Sequence, residues 1–307
     1  MADPASVPLE GADGGKLMRW ATYAAVVVAS LLIIAKMSAW LGTGSVALLS
    51  TLIDSTLDLA ASGLNLLAVR HALQPADHEH RFGHGKAEPL AGLAQSTFII
   101  GSGLLVLGEG AHRLIDPQPV TNGEGGIAVM VFSIVLTIGL VLFQRRVITK
   151  TGSMAINADA LHYTGDLAMN VSVIIALTLT HWLGWTFIDP LCGLAIALFI
   201  MWGAGHIAWE SFKVLMDQEL PDDQRQAIKE ICRANPQVRN VHDLRTRSSG
   251  VTSFIQLHLE LDGELSLRQA HAIADEVEAN IQAAFPNAEV IIHQDPAGIA
   301  EPKPVFD

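Results

Sequence analysis

The stretch Ser45–Arg70, SVALLSTLIDSTLDLAASGLNLLAVR, is long enough to cross a membrane and carries two acids, Asp54 and Asp58, in its interior. Residues four apart share one helix face, so both carboxylates point the same way. At about 1.5 Å per residue, Asp54 lies roughly 14 Å from the Ser45 end, near the middle of a hydrocarbon layer about 30 Å thick. A charge there costs about 2.5–3.5 kcal/mol on insertion scales, so the pair needs a partner. A bound cation is expected, ahead of simple protonation or hydrogen bonding to neighbouring helices.

The composition is that of a membrane protein with an aqueous part. Half of the 307 residues are hydrophobic and 16% are charged, with a mean hydropathy of +0.36. The net charge is −12, and there is no Lys/Arg cluster of the kind that a nucleic-acid surface needs. The two cysteines, Cys192 and Cys232, are isolated, which gives neither a CxxC motif nor a disulfide framework.

Six apolar runs are long enough to span a membrane. They cover residues 17–41, 45–70, 88–112, 125–148, 155–181 and 186–210. Six spans put both termini on one side, and basic residues decide which side. Eight basic residues precede the first span or lie in or beside the loops that follow the second and fourth spans: Lys16, Arg19, Arg70, Arg81, Lys86, Arg145, Arg146 and Lys150. The opposite loops offer only Arg113, so we expect cytoplasmic termini, with residues 1–15 as a disordered tail rather than a signal peptide.

The fifth run, in NADALHYTGDLAMN, supplies a matching pair of polar residues. His162 and Asp166 are four apart on a helix that enters from the cytoplasm, and His162 lies about 14 Å beyond Ser153. This depth coincides with that of Asp54, so three carboxylates and one imidazole can meet if the second and fifth spans are neighbours. Mixed oxygen and nitrogen ligands suit tetrahedral Zn²⁺ and tolerate Cd²⁺ or Fe²⁺, but they do not suit Mg²⁺ or Ca²⁺.

The loop QPADHEHRFGHGKAE after the second span contains a second cluster of possible ligands. Asp77, His78, His80 and His84 combine one carboxylate with three imidazoles. This chemistry suits a divalent metal, while solvated loop histidines are the alternative.

After Asp217 the pattern becomes that of an aqueous domain. The predicted bounds are a helix at 221–234, strands at 238–247 and 252–262, a helix from a Ser266–Gln269 capping box to Phe285, and a strand at 288–295. The order αββαβ predicts a two-layer α+β domain with antiparallel pairing and helices on one face. Four polar positions in or beside these strands predict a metal site of one or two ions: His242, His258, His293 and Asp295.

Together these motifs resemble those of the cation diffusion facilitator family, in particular its bacterial zinc and ferrous-iron efflux members. The resemblance covers residues 16–298 and depends on DSTLD, HYTGD, the QPAD…FGHGKAE loop, HDLRTR and IIHQD. It implies a membrane α-helical fold of six transmembrane helices at 16–212. A cytoplasmic metallochaperone-like αββαβ domain would follow at 213–298, and a C-terminal tail at 299–307.

The resemblance also implies three metal sites. The transport site matches Asp54, Asp58, His162 and Asp166. The loop site matches Asp77, His80 and His84, with His78 as an additional imidazole. The cytoplasmic site matches His242, His258, His293 and Asp295, with His271 as a secondary member near the dimer interface. Lys86 and Asp217 match an inter-domain charge pair.

The activity that the resemblance implies is export of Zn²⁺, and also of Cd²⁺ or Fe²⁺, in exchange for protons. A homodimer in the bacterial inner membrane would work by alternating access. Its partners would be metal ions, protons and the lipid bilayer, with no nucleic acid and no cofactor beyond bound divalent metal. A non-transporting membrane metal sensor or scaffold is the alternative. An enzyme is not expected, because there is no HExxH motif and the four ligands leave no open metal position.

Overall fold

The computed structural model describes residues 12–43, 46–115, 124–183, 187–250 and 252–299. It separates into two compact units, Met1–Phe212 and Lys213–Asp307. The tail expected at 1–15 overlaps the start of the first helix at Ala12, and residues 1–11 lie outside the described part of the chain.

Six long helices carry the first unit. They are α1 (Ala12–Thr43), α2 (Val46–Ala72), α3 (Ala87–Ile115), α4 (Glu124–Thr151), α5 (Met154–Leu183) and α6 (Ile188–Leu215). Each predicted apolar run coincides with one of them, except that Ser45 and Thr186 lie outside the described residues. Among the described residues, five of the six, all but α5, are both long and apolar enough to cross a membrane.

The helices turn large apolar side chains outward and small residues inward. Leu105 and Trp202 are 77% and 75% exposed, as expected where lipid is the solvent. A Cβ atom on Gly103 of α3 would collide with Met201 of α6, and one on Gly110 would lie 3.0 Å from Leu194. These two glycines therefore allow α3 and α6 to pack closely.

A buried carboxylate connects four of these helices. Asp159 of α5 is 1% exposed and accepts hydrogen bonds from Gln95 Nε2 of α3 at 3.1 Å and Gln144 Nε2 of α4 at 2.6 Å. Ser62 Oγ of α2 donates to the same carboxylate at 3.4 Å and lies 2.9 Å from the Tyr163 hydroxyl. Because each partner comes from a different helix, Asp159 fixes the rotation of α5 one turn before the predicted metal-binding pair of that helix.

The second unit has the predicted order αββαβ. Its elements are α7 (Asp222–Ala234), β1 (Asn240–Ser249), β2 (Thr252–Leu261), α8 (Leu267–Ala284) and β3 (Ala288–Pro296). The capping box of Ser266 and Gln269 is present at the start of α8. The sheet order is β1-β2-β3, with β1 antiparallel and β3 parallel to β2. The prediction of antiparallel pairing is therefore wrong for the second pair, because α8 carries the chain back along the sheet before β3 begins.

Alternation along β2 places its apolar residues in the core. Ile255, Leu257 and Leu259 are at most 1% exposed and lie in one cluster with Ile228 of α7 and Val277 of α8. The intervening polar residues consequently lie on the opposite face of the sheet.

Candidate metal centres

The first cluster lies between α2 and α5. Asp58 Oδ1 is 2.9 Å from His162 Nε2, and Asp166 Oδ2 is 3.7 Å from the same nitrogen. One possible ligand atom from each of the three residues lies within 4.8 Å of the others. The Asp58 and His162 side chains are 16% and 15% exposed. Two carboxylate oxygens and one imidazole nitrogen around a common point can bind a divalent cation.

Asp54, the fourth residue expected at this site, does not belong to the gathered group. It lies one turn before Asp58 on α2, where side chains have Cβ atoms about 5–6 Å apart. The structure therefore brings together three of the four expected residues and leaves Asp54 beside them.

Lys36 of α1 reaches toward the same part of α2. Its ammonium group donates to Ser55 Oγ at 2.6 Å and to the Thr51 carbonyl at 3.1 Å. These partners could not be predicted, because helix pairing decides which way a lysine inside an apolar run points.

The second cluster is formed by the loop between α2 and α3. Asp77 lies 3.4 Å from His80 Nδ1 and 3.3 Å from His84 Nε2. The backbone N–H of His80 donates to the Asp77 carboxylate at 2.6 Å and, as the largest cause, holds its pKa below the usual value. The carboxylate is therefore already ionised and oriented for a cation at neutral pH.

Of two further histidines near this loop cluster, His71 packs against it and His78 lies outside it. The ring centroid of His71, in the last turn of α2, lies 4.5 Å from that of His84. Sequence reasoning missed His71, although it lies only six residues before Asp77. His78 is exposed and is not part of the group that could hold a metal.

The third cluster arises from strand register. His242 pairs with His258 across β1 and β2, and His258 pairs with His293 across β2 and β3, so three imidazoles lie side by side. Asp295, which is 5% exposed, lies two residues beyond His293 and thus on the same face.

Asp295 connects all three rings of this cluster. Its carboxylate lies 2.8 Å from His258 Nδ1, 3.4 Å from His242 Nε2 and 3.1 Å from His293 Nε2. The group that could hold one ion comprises His242, His258 and Asp295. His293 is 63% exposed at the rim, where it could contribute to a second ion.

Two acids near this cluster escaped sequence reasoning, and one predicted member lies elsewhere. Glu260 lies 3.3 Å from His242 Nδ1, and Asp243 lies 3.7 Å from His258 Nε2. Asp243 has a φ of 45° next to a register shift in β1, and no pattern in the sequence signals such a bulge. His271 is exposed on α8, where it lies 3.5 Å from Asp275.

Both units match known protein families. Residues 22–216 match the cation efflux transmembrane domain, and residues 220–297 match the cytoplasmic domain of cation efflux proteins. The chain belongs to the cation efflux, or cation diffusion facilitator, family. This cation efflux protein is 51% identical over 287 residues to a Cronobacter sakazakii protein named cation-efflux pump FieF, covering 94% of this chain and 95% of the relative. A Shewanella oneidensis protein of the same name is 49% identical over 282 residues, covering 92% and 95%.

Membership of the cation efflux family confirms several expectations. The family comprises membrane cation transporters and not enzymes, so the predicted fold class and multi-pass membrane character are confirmed. The charge pair of Lys86 and Asp217 stays a prediction, since the two residues belong to different units. Within its own unit, Asp217 lies 3.5 Å from Arg247.

Proposed function

We propose that this cation efflux protein exports divalent metal ions, with Zn²⁺ as the main cargo and Cd²⁺ and Fe²⁺ as further cargo, in exchange for protons. The observation that carries the proposal is the group of Asp58, His162 and Asp166 on two helices of the membrane unit. Ionisable residues inside a membrane domain are costly and mark ion or proton paths. The two relatives reported above are both named as efflux pumps.

The ligand set explains why metal and protons would exchange. A metal ion binds ionised carboxylates and neutral imidazole, so binding displaces protons and protons displace the metal. We propose Asp54 as the fourth ligand, because it lies one helical turn from Asp58. Movement of helices around this site would expose it to each side in turn.

We infer further that the protein is a homodimer in a bacterial inner membrane, with both termini in the cytoplasm. The excess of Lys and Arg in the even-numbered loops supports cytoplasmic termini in a bacterial inner membrane. The match of residues 220–297 to the cytoplasmic domain of cation efflux proteins, a domain associated with dimer formation, supports a homodimer. The loop and strand clusters would bind resident divalent ions, with Asp77 and Asp295 supplying the carboxylates. A non-transporting sensor would leave the intramembrane acids without a role.

The test is metal uptake into vesicles that contain the purified protein and carry a pH gradient. We expect uptake of Zn²⁺, Cd²⁺ and Fe²⁺ but not of Mg²⁺ or Ca²⁺, and we expect Asp58→Asn and Asp54→Asn each to reduce it to the level of empty vesicles. Asp13→Asn, at an exposed acid paired with Lys16, is the matched control. Zn²⁺ uptake that survives Asp58→Asn would contradict the proposed transport site.

A further inference from the structure

The position of Lys36 is fixed by two acceptors on a neighbouring helix. Its ammonium group is 2.6 Å from Ser55 Oγ and 3.1 Å from the Thr51 carbonyl, and Ser55 is 1% exposed. A lysine inside a membrane span normally extends toward the headgroups. Here the side chain points across to α2, where its charge has to be compensated by nearby groups.

The nearest compensating charges are the carboxylates proposed to bind the cargo. Ser55 lies three residues before Asp58 and on the same face of α2, so an ammonium group bound to Ser55 lies on the helix face that carries Asp58. The acids that interact electrostatically with Lys36 are Asp58, Asp166 and Asp54.

The formal charges of the three carboxylates, His162 and Lys36 sum to the opposite of the charge of a divalent cation. Three ionised carboxylates carry −3, neutral His162 adds nothing, and Lys36 brings the total to −2. One divalent cation then makes the loaded site neutral, whereas without the lysine the loaded site would keep one negative charge. A neutral site is the least costly state inside a membrane.

We propose that Lys36 is the resident counter-ion of the transport site, which sets the net charge of its ligands at −2 and matches it to a divalent cargo. This inference depends on the proposed function and adds a residue to it. Because the lysine repels the cargo, its removal strengthens metal binding, and an ion that binds too tightly is released slowly.

The test is Zn²⁺ titration of the intact protein at mildly alkaline pH, where protons compete least. The loop and strand clusters are removed in all samples by Asp77→Ala and Asp295→Ala. We expect Lys36→Met and Lys36→Gln to lower the dissociation constant at least about tenfold, as expected for the loss of one nearby positive charge. The Gln variant can keep a hydrogen bond to Ser55, so it separates the loss of charge from the loss of the bond.

Two controls make the result decisive. Lys36→Arg keeps the positive charge and should bind Zn²⁺ with the parent affinity. Lys16→Met removes a positive charge at an exposed position of α1 and should also leave the affinity unchanged. Unchanged or weaker binding by Lys36→Gln would overturn the inference. Asp58→Asn in the same background should abolish binding. If it does not, the proposed transport site itself fails, whatever the Lys36 variants do.

Discussion

At the scale of single residues, burial separates two loop histidines that look alike in the sequence. His84 is 7% exposed with Nε2 3.3 Å from Asp77, whereas His78 is exposed and outside the cluster. We therefore expect His84→Ala to weaken Zn²⁺ binding at the loop at least about tenfold, as loss of a ligand or its support does. His78→Ala should leave it unchanged. The measurement is Zn²⁺ titration of intact protein carrying Asp58→Asn and Asp295→Ala, and equal losses in both variants would contradict the assignment.

A thiol in the second unit gives a prediction about pH. Burial raises the pKa of Cys232 to about 11 from its ordinary value near 9. The folded state holds this proton more tightly, so the stabilisation is complete below about pH 9 and is lost as the pH rises from about 9 to about 11. In intact Cys192→Ser protein, alkylation by iodoacetamide should rise with a midpoint near pH 11, and in concentrated urea with one near pH 9. A native midpoint near 9 would contradict the burial.

At the scale of helices, the Asp159 network makes a prediction about stability. Asp159→Ala removes the acceptor for Gln95, Gln144 and Ser62, and it leaves the amide donors of Gln95 and Gln144 without this partner inside the bundle. We expect the free energy of unfolding to fall by about 2–4 kcal/mol. The measurement is unfolding by SDS in mixed micelles, with Asn157→Ala at an exposed position of α5 as the control.

A second variant separates the network from general damage to α5. Asp159→Asn combined with Gln144→Glu moves the carboxylate from α5 to α4 and keeps donors and acceptors in balance. At least half of the lost stability should return. If the double variant is no more stable than Asp159→Asn alone, the hydrogen bonds are not what holds these helices.

The helices could be predicted from sequence because a membrane fixes their length. A run of about 20 apolar residues in a membrane has few alternatives to an α-helix, because its backbone groups must pair with one another. The helices α1 to α6 accordingly extend only a few residues beyond the predicted runs. The contacts of Asp159 and Lys36 could not be predicted, since they depend on the rotation of each helix about its axis. Apolar runs that are hydrophobic all round carry little information about that rotation.

At the scale of the whole molecule, the arrangement of the cytoplasmic cluster also could not be predicted in full from the sequence, because it depends on how the strands pair. Apolar and polar residues alternate along β2, and His258 consequently faces away from the core. His242 and His258 align through the antiparallel pairing of β1 with β2, as expected. His293 joins them through the parallel pairing of β2 with β3, where the expectation of antiparallel pairing is wrong. Without the correct register, the histidines could be named as candidates but not arranged around Asp295.

Metal bound at the cytoplasmic cluster is expected to regulate transport. Asp295 contacts three imidazoles, so His242→Ala with Asp295→Ala removes the centre of the cluster. If metal bound there tightens the dimer and favours transport, uptake should fall severalfold at limiting Zn²⁺ and recover at saturating Zn²⁺, because the transport ligands are intact. The measurement is initial uptake into vesicles over a range of Zn²⁺ concentrations, with Glu289→Ala at an exposed position of β3 as the control. Unchanged uptake at limiting Zn²⁺ would show that the cluster does not regulate transport.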